Sequence, residues 1–391
     1  MGTIVWTAPS IEEQELWNAQ QRDDKNAYIA ALARTDVFVA RPIDANAKTG
    51  FRKDPYYTLV RHGRKQMVPV YTRGVLPEQP PEDSYWDKLM FPQWVQKVAA
   101  RRDSIQLLID GGTPLERVVN AGEAAAWMKQ NPRRVLYLHD LEGVIRVLTN
   151  EPQDGELACG LACNAHLSVT NGRPWNTMER PYVDYPDTVR RNKQLWLISG
   201  PVEWQNKIDK LLDRERFPWP ADSVFSIRME SGAAVRPSGD LDADTAALTE
   251  AVGAWCDRYA AMPDTRRDMV DIAEWILRLE SWMRRDEVLA PDGIVQTQAV
   301  FHWARCINMA REGYACGYWD RTAGEQIVQH AGRLCARTYE DWRQLSAAYI
   351  IGRVIQMGRT GQAETLYAQS LTRHRVLMRD PASPWVRFSL R

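Results

Sequence analysis

The hydrophobic period changes part-way along this chain, and that change limits its fold more than any other feature. Before about residue 150, apolar residues come in short β-branched or aromatic runs: "DVFVA" (36–40), "YYTLV" (56–60), "QMVPVYT" (66–72), "SIQLLID" (104–110) and "RVLYLHD" (134–140). Each is bounded by Gly, Pro or Asp and reads as a strand. From Trp196 onward apolar residues recur at helical spacing instead, as in Met269, Ile272, Ala273, Ile276, Leu279 and Met283. The two periods demand different elements, so the expected fold class is α+β. An N-terminal α/β layer domain with a mixed sheet would span 1–150, and an all-helical domain would span 195–391. Between them, 151–194 is rich in Gly, Pro and Asn with no lasting period, and reads as a partly ordered connecting segment. A prior of about 150 residues per domain agrees with this division.

Local signals place several helices. Ser10-Ile11-Glu12-Glu13 has the form of a capping box and opens a polar helix running to about Arg34. "WDKLMFPQWVQKVAA" (86–100) and "NAGEAAAWMKQ" (120–130) read as helices between strands, and "LPEQPPEDS" (76–84) as an exposed loop. In the second half, stripes form at Trp204, Ile208, Leu211 and Leu212, at Leu248, Val252, Trp255, Cys256 and Tyr259, and at Val300, Trp303, Ala304, Ile307 and Ala310. Gly313 is placed to stop the last of these. "EGYACGYWD" (312–320) then reads as a tight interhelical connection, with Tyr314, Tyr318 and Trp319 as plugs and Asp320 or Thr322 as the next cap. Gly352 would let a neighbouring backbone come close.

Fifty basic and fifty acidic residues leave no formal net charge, which provides no electrostatic case for nucleic acid or an anionic membrane. No apolar run reaches the length of a membrane span. The start, "MGTIVWTAPSIEEQE", lacks the basic and apolar regions of a signal peptide, and Trp6 spoils a myristoylation signal. A cytoplasmic protein without cofactors is the expectation. Six cysteines are too sparse for a disulfide scaffold. Sixteen tryptophans imply either large helix-packing interfaces or an exposed aromatic binding surface.

Four stretches could carry chemistry. Cys159, Cys163 and His166 have ligand-like spacing in a Gly-rich stretch, but a structural zinc needs a fourth ligand and none is near, so no metal is expected. His139-Asp140 ends a strand-like run and, with Asp110, gives the acid–base groups of a hydrolase-type alternative; no nucleophile motif accompanies them. "IDGGTPLERV" (109–118) could cradle an anion on backbone amides, though turn glycines explain it equally. The terminal "LTRHRVLMRDPASPWVRFSLR" has five arginines against one aspartate and reads either as a contact for an acidic partner or as a solvated helix end.

The stretch "WARCINMAREGYACGYWDRTAGEQIV…ARTYEDWRQLSAAYIIGRVI", with the opening "LWLISGPVEWQNKIDKLL" (195–212), resembles a bacterial family known as domain of unknown function 1266, over roughly 195–357. The resemblance implies a helical domain with Gly313, Tyr314, Gly317, Trp342, Gly352 and Arg353 as fold markers, and implies no activity. "QMVPVYTRG" and "SIQLLIDGGTPLERV…GEAAAWM" resemble the SseB-like (enhanced serine sensitivity) family, a class of interaction or secretion-associated modules. That family has Asn-Pro where this chain has Asp110-Gly111-Gly112. Together these features lead to the expectation of a non-enzymatic protein-binding module, an immunity or accessory protein of a toxin or secretion system whose partner is another protein.

Overall fold

A computed structural model describes residues 6–42, 58–81, 84–101, 104–148, 151–178, 185–213, 216, 219–359 and 361–391. The class is α+β, as expected. The chain divides into two units, each discontinuous in sequence: Met1–Leu141 with Arg180–Gly200, and Glu142–Glu179 with Pro201–Arg391.

The first unit opens with α1 (Ile11–Gln21) and α2 (Lys25–Leu32), followed by β1 (Asp36–Pro42), β2 (Val60–His62), β3 (Lys65–Thr72) and β4 (Ser84–Met90). Next come α3 (Phe91–Arg101), β5 (Gln106–Ile109), β6 (Arg117–Asn120) and α4 (Ala121–Gln130). The strands form one mixed sheet in the order β4-β1-β3-β5-β6, with β2 as a hairpin partner of β3. Only β3 and β5 run parallel, Val70 facing Ile109; the other pairs are antiparallel. Because alternate strand residues share a face, Val37 and Val39, Val68 and Val70, and Leu107 and Ile109 enter one core. Leu16, Tyr28, Leu32, Trp94, Val98 and Met128 complete it from the helices.

Three local expectations change. The single helix read over 11–34 breaks at Arg22–Asp24, where Asp23 takes a positive φ of 48° and the Asp24 side chain accepts from the Ala27 amide to start α2. A short acidic side chain competes for backbone N–H groups in this way. The helix read over 86–100 begins only at Phe91, because Ser84–Met90 pairs with β1 along its whole length; sheet pairing overrides local propensity. The strand read at 134–140 is absent. Pro132–Arg134 and Leu138–Leu141 are 3-10 turns, and the Leu136 amide donates to Ala33 O at 3.1 Å rather than to a strand neighbour. The first two residues of "YYTLV" and Glu82–Asp83 of the Pro-rich loop lie outside the described residues.

The region read as a connecting segment holds α5 (Gly155–Ala162) and α6 (Ala165–Thr170), both in the second unit, and then α7 (Tyr185–Trp196), part of the first. Ala158, Leu161, Ala162, Ala165 and Val169 are buried in the helical core. Helices of eight and six residues are too short to show a lasting amphipathic period. Gly160 of α5 serves packing: a Cβ on Gly332, in the later helix Arg321–Thr338, would lie 2.7 Å from Gly160 Cα, so those two helices touch backbone to backbone.

The second unit continues with α8 (Pro201–Leu212), α9 (Pro220–Ser231), α10 (Leu241–Arg258), α11 (Pro263–Arg285), α12 (Ala299–Ala315), α13 (Arg321–Thr338), α14 (Trp342–Met357), α15 (Ala363–Arg379) and α16 (Pro384–Arg387). The stripe read along α11 is buried at all six positions. On α10, Leu248, Val252 and Cys256 are buried, whereas Tyr259 is exposed. The basic tail is docked. Trp385 Nε1 donates to Ala162 O, Leu390 is buried, and the Arg391 guanidinium meets the carbonyls of Ala336 and Tyr339 at 2.8 and 3.1 Å, closing the end of α13. None of the sixteen tryptophans is exposed. Their number goes into packing, and an exposed aromatic surface is not what they make. Among the described residues no helix is long and apolar enough to cross a membrane.

Candidate functional site

The parallel pair β3–β5 ends in a buried carboxylate network. Asp110 follows β5 with a positive φ of 49°, and its carboxylate accepts from the Thr72 amide at 2.6 Å and the Thr72 hydroxyl at 3.1 Å. Burial pushes the Asp110 carboxyl up to about 7; the Thr72 bonds oppose this, and the nearby Glu13 charge adds to it. Glu13 is buried too, which pulls it upward, but hydrogen bonds from Ser10, Thr72 and the Gly74 amide outweigh that and leave it below its ordinary value. Thr72 thus joins two carboxyls of opposite tendency. Asp110 has no solvent exposure, and the network ties α1 to the strand ends.

His139 and Asp140 sit apart from it on the 3-10 turn. Their side chains are 70% and 42% exposed with Nε2 and Oδ1 at 3.4 Å, the imidazole stacks on Tyr137, and the carboxylate accepts from the Tyr137 amide at 2.8 Å. No hydrogen bond or ion pair among the described residues joins either to Asp110. The three hydrolase candidates therefore form a surface pair and a buried strut rather than one constellation.

In the second unit Cys159, Cys163 and His166 go separate ways. The Cys163 thiol donates to Cys159 O at 3.3 Å, and Cys159 reaches Leu390 O at 3.7 Å. Contact with Cys163, then burial, raises the Cys159 thiol. Contact with Cys159 lowers the Cys163 thiol, but contact with Cys335 and burial outweigh it and hold that thiol well above its ordinary range. His166 turns away to the Ser346 hydroxyl at 2.8 Å and stacks on Tyr349. Among the described residues no group of three His, Cys, Asp or Glu side chains is placed to hold a metal ion. Ser346 also meets His374 Nδ1 at 2.7 Å, giving a buried His–Ser–His chain. Burial first, then neighbouring positive charge, lowers both imidazoles, His374 to about 4. Ser346 is fully enclosed, so no substrate can reach its oxygen.

The opening of the interhelical turn is a structural device. Gly317 takes the left-handed conformation at φ 69°, with Tyr318 N–H bonded to Gly313 O and Gly317 N–H to Tyr314 O, a Schellman ending. Gly313 is therefore not the stop: it lies inside α12, where a Cβ would meet the Trp319 and Trp204 rings at 2.4 and 2.6 Å. Tyr318 is buried against Trp204, Tyr314 and Trp319 are half-buried, and Asp320 caps α13 through the Ala323 amide. Trp342 stacks on Trp385 and donates to Phe388 O; Gly352 would place a Cβ 2.6 Å from that of Phe301; Arg353 donates to Thr170 Oγ1 at 3.4 Å.

One accessible polar cleft, of about 530 Å³, lies in the first unit. Arg22 enters from the end of α1, Arg34 from the residues after α2, and Arg133 and Arg134 from the 3-10 turn after α4. The floor includes Ala30, Ala31 and Val135, all buried. All four guanidinium side chains belong to exposed residues, and among the described residues none forms an ion pair. Arg134 is held over the Trp127 ring at 5.6 Å. Glu15 and Asn18 supply the cleft's acidic and amide groups.

The matched region decides the family. Residues 193–390, just over half of the chain, match the family described as protein of unknown function, DUF1266. The chain belongs to DUF1266. No curated protein and no solved structure matches it. The match extends past the 195–357 read from the sequence and takes in α15 and the docked tail. In the DUF1266 region the six marker residues act in turns and helix crossings, as just described. The cleft was missed because its arginines are spread over more than a hundred positions with no motif among them. The adjacent pair Arg133-Arg134 was the one local sign.

Proposed function

We propose that this protein is a non-enzymatic, cytoplasmic protein-binding module, an immunity or accessory component of a bacterial toxin or secretion system. The cleft of the first unit carries this reading: four arginines that form no ion pair among the described residues line an accessible concavity together with Glu15, Asn18 and apolar residues. Arginine forks suit recognition of carboxylates. The groups with altered proton affinity described above are, in contrast, bound into the core. The resemblance of "QMVPVYTRG" and "SIQLLIDGGTPLERV" to the SseB-like family is what suggests the toxin or secretion context.

A hydrolase working through His139, Asp140 and Asp110 is the second reading, favoured by the near-neutral proton affinity of Asp110. It requires all three to serve one substrate, whereas Asp110 is enclosed. Native mass spectrometry of the tagged full chain from its host's lysate tests the first reading. The expected result is one co-purifying protein at fixed stoichiometry; a bare chain overturns it. Turnover of an ester or phosphoester panel that disappears in His139→Ala would establish the second.

A further inference from the structure

We infer that the arginine cleft of the first unit recognises an extended acidic peptide segment, with the peptide's carboxylates on Arg22, Arg34, Arg133 and Arg134. The inference deepens the protein-binding reading and rests on it.

Charge comes first. Four arginines and one acidic residue, Glu15, line one space of about 530 Å³, leaving an excess of positive charge there in a chain whose total is zero. Like charges gathered at one place repel, and an anionic occupant relieves that repulsion. The clustering is fixed by the fold rather than by flexible tails. The Leu136 amide bonds to Ala33 O at 3.1 Å, which pins the 3-10 turn beside the end of α2, while Trp127 holds the Arg134 plane.

The other lining groups select the kind of anion. Glu15 only accepts hydrogen bonds when ionised, and Asn18 both donates and accepts. A polyphosphate offers acceptors alone and would meet Glu15 as a like charge. A peptide offers main-chain N–H groups to Glu15, carbonyls to Asn18 and carboxylates to the arginines. The buried Ala30, Ala31 and Val135 floor takes the apolar part of such a chain. Successive side chains of an extended segment point to opposite sides, so a peptide with acidic residues at every second position directs one row of carboxylates at the cleft.

The test uses the full chain and a fluorescent octapeptide of alternating glutamate and serine, with tripolyphosphate as the competing anion. The expected result is saturable peptide binding that weakens with salt, falls by about tenfold or more in Arg34→Gln/Arg133→Gln, and exceeds binding of tripolyphosphate. Equal peptide binding by the wild type and this variant overturns the inference, as does tighter binding of tripolyphosphate. The four side chains are exposed, so the variant is expected to keep the wild-type circular dichroism spectrum; Arg22→Gln/Arg134→Gln is the second variant if it does not. Running the same variants in the lysate experiment separates two failures. A partner retained by the variants at full stoichiometry sinks the cleft but not the binding reading, whereas no partner on the wild type sinks the binding reading.

Discussion

Replacing Glu280 by Gln is expected to be among the most damaging single changes in the helical unit. Its carboxylate takes the Arg228 guanidinium in two bonds, 2.7 and 3.0 Å, and accepts the Val295 amide at 2.8 Å. The two side chains are 1% and 0% exposed, so neither charge has water to fall back on. Gln keeps the shape but turns one acceptor into a donor aimed at Arg228, leaving the buried cation with a neutral amide oxygen and Ala234 O in place of a carboxylate. Breaking one side of such a pair costs about 3–5 kcal/mol, or roughly two to three and a half powers of ten in the folding constant. The double change Arg228→Met/Glu280→Leu removes both charges and fills the volume. It leaves two backbone groups unpaired, at about 1–3 kcal/mol each, partly offset by the new apolar contact, so it is expected to be milder than the single change. Urea unfolding followed by far-UV circular dichroism measures both. A Glu280→Gln loss under about 1 kcal/mol, the range of an exposed pair, refutes the reasoning; so does a double variant less stable than the single.

Other outcomes follow from the same geometry. Asp110 has a folded-state value near 7 against an ordinary 3.8, so its stabilising effect is full below about 3.8 and is lost as pH rises to 7; Asp110→Asn should flatten that part of the stability–pH curve, and an unchanged slope counts against the assignment. His374 works in the opposite direction, its contribution present above the ordinary 6.5 and lost as pH falls towards 4, so His374→Gln should make stability less sensitive to pH in that window. Ser346→Ala strands ring nitrogens of His166 and His374 and should cost about 1–3 kcal/mol or more, read as a lower urea midpoint; a neutral result would mean the chain is not hydrogen-bonded as described. Gly352→Ala must displace Phe301 and should cost about 1–3 kcal/mol, with Phe301→Ala in the same chain reducing the added penalty in a double-mutant cycle.

Local rules act over a few residues, and that reach explains what could be read in advance. Ser10 caps α1 through the Glu12 amide, Asp320 caps α13, and the six-residue apolar face of α11 is buried, each decided by neighbours within a turn or by a repeat along one helix. The change of period between the two halves also sorted sheet from helix bundle correctly. Local signals failed where a distant segment supplied the deciding contact. Ser84–Met90 became a strand because β1 was there to pair with it, and α5 looks like loop sequence although its Gly160 meets the backbone of α13. The candidate site belongs wholly to this second class. Arg22 and Arg34 are separated by about a hundred residues from Arg133 and Arg134, and Arg228 finds Glu280 across 52 positions. By itself, then, the amino-acid order determined which half is sheet-bearing and which helical, where several helices begin and which faces of the long helices turn inward, since those preferences act within one element. The tertiary structure alone decided which charges meet, because convergence of distant side chains depends on the path of the chain between them.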